Sequence, residues 1–311
     1  MLWIYLLPSL FMGWSLGTND SANIFGPAVA QKVVKYRTAI IVAAIFIVIG
    51  SWVGGESGMK TLSSITTQSL TSASVAAFSA ALVVTFMSKW GIPVSTSQAV
   101  LGGILGIGIY NHNVNFAPLI KVLIVWVINP IGAMVVAIGL QLTLGYFYKK
   151  IDSISLRSKI VKWGALIIGA YGSYALGANN VANVTGTFAG PLFKNNYGLA
   201  SLVGGLAIAS GTLTYSKKVM MTVGKDIAAL DSFGAVIAVL AISITVWIFS
   251  LVGVPVSTSQ AIVGAVIGLG FLKGISFLNK KTIIKILLGW IATPVIAGSM
   301  AFVIYLIVKL F

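Results

Sequence analysis

The sequence predicts an all-α integral membrane protein. The expected architecture is an inverted-topology repeat of two five-crossing halves with broken helices, about 10–12 transmembrane segments in all. Three observations carry this expectation. Hydrophobic residues make up 58% of the 311 and charged residues 8%, with a mean hydropathy of +1.02. A soluble domain carries roughly 25% charged residues, so this chain cannot clothe a globular surface. Apolar stretches such as 38–54 and 232–251 have the spanning-helix length of about 17–25 residues, not the ~10 alternating residues of a barrel strand. The heptad PVSTSQA, finally, occurs twice, at 93–99 and 255–261.

The elements follow in order. The opening MLWIYLLPSLFMGWSLG lacks a basic leader and runs into a polar motif rather than a cleavage site. It reads as a first spanning helix over 1–30, broken near 17–23, and not as a removable signal. Further crossings are expected at 38–55, 61–88 (long enough to hold a kink or hairpin), 91–109 and 116–147. The second half repeats them at 163–191, 198–215, 232–251, 255–271 and 283–310. The internal match is close: GIPVSTSQAVLGGILGIG (91–108) and GVPVSTSQAIVGAVIGLG (253–270) are identical at 11 of 18 positions. GTNDSANIFG (17–26) answers GANNVANVTG (177–186), and VWVINP (125–130) answers GWIATP (289–294). The repeat divides the chain into halves at 1–148 and 163–311, joined by a basic linker, KKIDSISLRSKIVK, at 149–162. An odd number of crossings per half makes the second half enter the membrane in the opposite sense, the pattern of secondary transporters.

Charge supports that topology. With the N-terminus outside, only Lys60, Lys121, Lys194 and Lys309 of the twenty basic residues fall on the outer side. The other sixteen lie inside, a strong positive-inside asymmetry. The net charge of +15 is therefore a topology signal, with membrane lipid as a partner and no nucleic acid expected. Both termini are placed outside a cell (inner or plasma) membrane and the linker in the cytoplasm. The chain has no cysteine, which excludes disulfides and thiolate metal sites. No Walker motif, nucleophile elbow or zinc spacing appears, so neither ATP-driven transport nor enzymatic chemistry has support.

Two motif pairs carry chemistry. Pro93 and Pro255 each follow a glycine-preceded turn and cannot continue a helix, whereas an apolar glycine-rich helix follows the hydroxyls. Ser95, Thr96, Ser97 and Gln98, with Ser257, Thr258, Ser259 and Gln260, thus sit at helix N-termini. Unpaired N–H groups and the helix dipole favour an anion there. The simpler alternative is that these hydroxyls only cap two helices; the duplication favours two faces of one oxyanion site. In GTNDSAN and GANNVAN, Gly and Asn are expected to interrupt an apolar helix, exposing hard oxygen ligands. Asp20, Asn23, Asn180 and Asn183 form the candidate cation set, with Asp20 the one carboxylate. A cation between Asp20 and an anion would make the two ligands bind best together. Neutral oxygens with one acid suit sodium better than a proton. His112, the sole histidine, reads as a loop residue. Glu56 and Lys60 are read as an outer loop, and Lys217, Lys218, Lys225, Asp226 and Asp231 as an amphipathic inner loop.

These residues resemble the inorganic phosphate transporter (PiT) family. GTNDSANIFGPAVA, GANNVANVTG, the paired G-[IV]-P-V-S-T-S-Q-A segments and SKKVMMTVGKDI carry the resemblance nearly end to end. It implies a polytopic carrier, not an enzyme, that takes up inorganic phosphate with a cation: sodium in some members, a proton or a metal–phosphate complex in others. Many relatives have His where this chain has Gln98 and Gln260, which removes a proton carrier and agrees with sodium. The glutamate that some members carry in the second helix is absent from IFIVIGS, and so is the long central loop of animal members. The expectation is a sodium–phosphate symporter working by alternating access, without a cofactor beyond co-transported sodium. A homodimer is compatible with the sequence. A proton-coupled phosphate or sulfate permease of the same family stays open as an alternative, and an anion channel is the rival from another class.

Overall fold

A computed structural model describes residues 2–225, 230–274 and 279–310. Asp226, part of the expected inner loop, lies outside the described residues. After a short 3-10 turn the helices are α1 (Leu7–Ala30), α2 (Tyr36–Gly54), α3 (Glu56–Ser63), α4 (Leu70–Lys89), α5 (Thr96–Tyr110) and α6 (Phe116–Lys149). They continue as α7 (Ile154–Asn180), α8 (Ala182–Thr185), α9 (Tyr197–Tyr215), α10 (Lys217–Lys225), α11 (Ser232–Val252), α12 (Thr258–Lys273) and α13 (Lys280–Leu310). No strand forms among the described residues, only an isolated bridge between Thr66 and Val114. The protein is an all-α membrane protein: α2, α4, α6, α9, α11 and α13 are long and apolar enough to cross a bilayer. Helices α1 and α7, of 24 and 27 residues, have the length and carry polar motifs in their interiors.

The packing partners are exchanged between equivalent elements. Helix α1 packs on α9 and α2 on α7; α5 packs on α13 and α12 on α6. Glycines allow the backbones to touch at these crossings. A Cβ on Gly102 would overlap the carbonyl of Pro294, and one on Gly264 would overlap the carbonyl of Pro130. Small-residue contacts are the means of association open to helices in lipid, where no hydrophobic drive acts between them. Large apolar side chains such as Ile45, Trp52, Phe86, Ile124, Leu288 and Val295 face outward instead.

One expectation needs correction. The first helix is not broken at 17–23: α1 runs unbroken through GTNDSAN. Its hydroxyls fold back onto the helix, Thr18 Oγ1 donating to the Ser15 carbonyl (2.7 Å) and Ser21 Oγ to that of Gly17 (2.7 Å). Gly17 serves close packing, since a Cβ there would strike the backbone of Ile208. Tertiary packing overrides the low helix preference of Gly and Asn. The second copy does break, at Val181, where α7 gives way to α8 and a 3-10 turn. The stretch 61–88, expected as a crossing long enough to hold a kink, is divided: α3 ends at Ser63, and α4, the one candidate span in it, starts at Leu70, capped by Ser69. Of the residues read as a linker, 154–162 belong to α7.

The main breaks lie at the heptads. Helix α4 ends at Lys89 and α11 at Val252, and Gly91 (φ 73°) and Gly253 (φ 76°) then take the left-handed conformation that glycine alone adopts freely. The chain runs on without helix to Ser95 and Ser257, where α5 and α12 begin. At 15 residues α5 is about 22 Å long, too short for a ~30 Å core, so it begins inside the bundle. Short amphipathic helices cover both turns: a side chain at Gly91 would meet Lys218 and Thr222 of α10, and one at Gly253 would meet Ser57 of α3. On α3, Glu56 pairs with Lys60 at 2.6 Å, and this hydrogen bond and charge hold the Lys60 ammonium above its ordinary range.

Candidate functional site

Asn19 and Asn179 fix the two non-helical segments. From α1, Asn19 accepts from the Val94 N–H (3.1 Å) and donates to the Ile92 carbonyl (3.2 Å) and to Ser88 Oγ (3.0 Å). From α7, Asn179 accepts from the Val256 N–H (2.8 Å) and donates to the Val254 carbonyl (3.1 Å). Each amide accepts from a backbone N–H and donates to the carbonyl two residues before it, as a neighbouring strand would, satisfying groups that no helix pairs. Sequence reasoning noted these two asparagines only as a matched pair and missed this role.

Ser95 and Ser257 are the N-caps of α5 and α12, accepting from Gln98 N–H (3.3 Å) and Gln260 N–H (3.2 Å). The capping alternative therefore describes these two oxygens, while their O–H groups keep the ability to donate. The next hydroxyls face the asparagine motifs. Thr96 donates to Asp20 Oδ2 at 2.6 Å, and Thr258 of the other heptad lies beside the same carboxylate. Asn23 Nδ2 donates to Thr258 Oγ1 (3.1 Å). On the other side Asn183 Nδ2 donates to Ser97 Oγ (2.9 Å) and to Asn180 Oδ1 (3.0 Å), and Ser97 donates to the Val256 carbonyl (3.0 Å). Ser259 shares a hydrogen bond with Ser257 (2.9 Å). The two heptads thus touch, as their duplication led one to expect. The four candidate cation ligands form two pairs, Asp20 with Asn23 and Asn180 with Asn183. Each pair reaches the heptad of the opposite half: Asn23 to Thr258, Asn183 to Ser97.

All twelve candidate residues are buried, Gln98 being the most exposed at 6%. The site's polar balance is one-sided. Asp20 Oδ1, Asn23 Oδ1, Asn183 Oδ1, Gln98 Oε1 and Gln260 Oε1 are buried acceptors without a hydrogen-bond partner, against one such donor, Asn180 Nδ2. Buried oxygens of this kind need a cation or an O–H donor to offset their desolvation. Hard neutral oxygens with a single carboxylate suit a weakly charged hard ion. Among the described residues no group of three His, Cys, Asp or Glu could hold a transition metal. Asn129 also reaches this region, donating to the Ser257 carbonyl (2.8 Å) with its own Oδ1 unpartnered. The signal that would have found it is a buried Asn inside an apolar helix, in the segment VWVINP whose counterpart carries Thr293.

An all-α membrane bundle around a buried polar site, built where two identical heptads each start a helix, is the construction of a membrane transport protein. The chain belongs to the phosphate transporter family, whose model matches residues 16–163 and 149–301; it is a transporter and not an enzyme. It is 31% identical over 301 residues to "Putative phosphate permease MJ0630" of Methanocaldococcus jannaschii, covering 96% of this chain and 95% of that one. It is 30% identical over 314 residues to the sulfate permease CysP of Bacillus subtilis, covering 98% and 87%. The solved structure of a sodium-dependent phosphate transporter superimposes with a TM-score of 0.89 at 21% identity, covering 100% of this chain and 99% of that one. This last likeness speaks to the fold.

Proposed function

We propose that the protein is a secondary symporter that imports inorganic phosphate with sodium by alternating access. One observation carries the reading: a buried carboxylate, Asp20, accepts from Thr96 of one heptad and lies beside Thr258 of the other, to which Asn23 also donates, and both Asp20 Oδ1 and Asn23 Oδ1 stay without a partner. Sodium held by Asp20 and Asn23, with Asn180 and Asn183 as a second oxygen pair, neutralises the charge that would otherwise repel phosphate. Phosphate takes its donors from the hydroxyls at 95–97 and 257–259 and from the first N–H groups of α5 and α12. Gln98 and Gln260 complete the shell, and their unpartnered carbonyl oxygens can accept a hydrogen bond from the P–O–H group that phosphate carries at neutral pH. The halves 1–148 and 163–311, in opposite membrane orientations, rock about this site with termini outside and the basic face in the cytoplasm.

Sulfate transport is the competing reading, favoured by the similarity to CysP; sulfate has no proton for the glutamine oxygens. Labelled phosphate uptake into proteoliposomes, with sodium and pH gradients imposed separately and sulfate as competitor, separates the readings. The proposal expects uptake driven by sodium alone and weak competition by sulfate. Uptake that follows the pH gradient and ignores sodium, or sulfate accumulation in preference to phosphate, would overturn it.

A further inference from the structure

Positive charge converges at a second place, away from the central site. A cavity of about 850 Å³ opens between the α1–α2 turn, the end of α6 and the starts of α7 and α11. Lys32, Lys35, Arg157 and Lys162 line it, and none of its described lining residues carries a carboxylate. Asp231, next in sequence to the lining, caps α11 by accepting from the Gly234 N–H (3.1 Å).

The site is built rather than merely basic. Arg157 is held in place: Nε donates to the Ile151 carbonyl (2.6 Å), Nη2 to that of Lys149 (2.9 Å), and the guanidinium stacks 5.5 Å over Tyr148. Its remaining N–H donors stay available for a ligand. Lys32 occupies the left-handed backbone region (φ 58°), uncommon for a residue with a side chain. Three helices start at the wall. Helix α2 begins at Tyr36 with Lys35 in the cap position and no side-chain capping bond, so its first N–H groups lack the acceptor that Ser153 gives α7 and Asp231 gives α11. The helix ends add partial positive charge to the four cations. Below them Val161 and Leu166 make the wall apolar.

We infer that this cavity binds a phosphate group, supplied by an anionic phospholipid of the adjoining leaflet or by free inorganic phosphate. The cations and uncapped N–H groups take the phosphate oxygens, and the apolar wall accepts what the phosphate is attached to. Basic pockets of this kind between membrane helices recognise lipid head groups. None of these residues belongs to the central site, so the inference stands apart from the proposed substrate and coupling ion.

The test uses the full chain purified in an uncharged detergent, comparing wild type, Lys35→Gln/Lys162→Gln, and the charge-matched control Lys121→Gln/Lys159→Gln. Both substituted pocket lysines are exposed, and equal unfolding midpoints without ligand check that the fold is kept. Phosphatidylglycerol binding should weaken about fivefold per pocket lysine, about 25-fold for the pair, and hold in the control. If free phosphate is the ligand, phosphatidylglycerol binds all three alike, and only the pocket variant loses part of the stabilisation that inorganic phosphate gives. Equal responses of the pocket variant and the control to both ligands would overturn the inference.

Discussion

Replacing Asn19 with leucine removes three hydrogen bonds and little volume. Without its amide the Val94 N–H and the Ile92 carbonyl lose the side chain that pairs them, and Ser88 loses a donor. A buried backbone group left unpaired costs about 1–3 kcal/mol; the Val94 N–H is buried and the Ile92 carbonyl half-buried, so the two together cost about 1–6 kcal/mol. Asn179→Leu should cost a similar amount, because it strips the Val256 N–H and the Val254 carbonyl in the same way. At about 2–4 °C per kcal/mol the unfolding midpoint of each purified variant should fall by at least ~2 °C. Uptake should suffer as well, since the loosened segments carry Thr96 and Thr258. Thermal unfolding in detergent, with phosphate uptake measured in parallel, reads both effects. A midpoint within about 1 °C of wild type in either variant would refute the argument that the amides stand in for a paired strand.

Two further outcomes follow from the same geometry. Gly264→Val and Gly102→Val each drive a side chain into the backbone of the facing proline turn, Pro130 or Pro294, and should destabilise by about 1–3 kcal/mol in denaturation curves; wild-type midpoints in both would contradict the crossed packing. Gln98→Leu and Gln260→Leu remove an amide acceptor and should raise the phosphate KM about 2- to 10-fold while changing sulfate inhibition less. An equal change for both anions would show that the amide oxygens do not accept a hydrogen bond from the phosphate P–O–H group.

Much of this arrangement was legible in the sequence, and the reasons are physical. The hydropathy that makes soluble folding untenable also sets the helix lengths. The repeated PVSTSQA marked the two helix starts because proline and the preceding glycine leave few alternatives to a break there. The location of the other break was misread. Gly17 and Asn19 disfavour a helix by local preference, yet α1 continues through them because Gly17 meets α9 and Asn19 bonds outward to 92–94. That information lies in distant residues and not in the motif. The role of α3 and α10 was also hidden. GGESGMK and SKKVMMT share almost no letters, and their placement over Gly253 and Gly91 is visible only in the structure. Asn129 escaped for a related reason, since its repeat partner, Thr293, is a different residue with a different bond.

The account rests on Asp20 linking cation and anion. Phosphate titration of the purified protein, with and without sodium, measures that link in wild type and in Asp20→Asn. Linkage requires sodium to tighten phosphate binding by the same factor as phosphate tightens sodium binding, about 5- to 150-fold for a typical coupling. The account predicts such a factor in wild type and a factor near one in Asp20→Asn, with the Thr96 contact surviving through the amide oxygen. Sodium coupling of wild-type size in Asp20→Asn would contradict it.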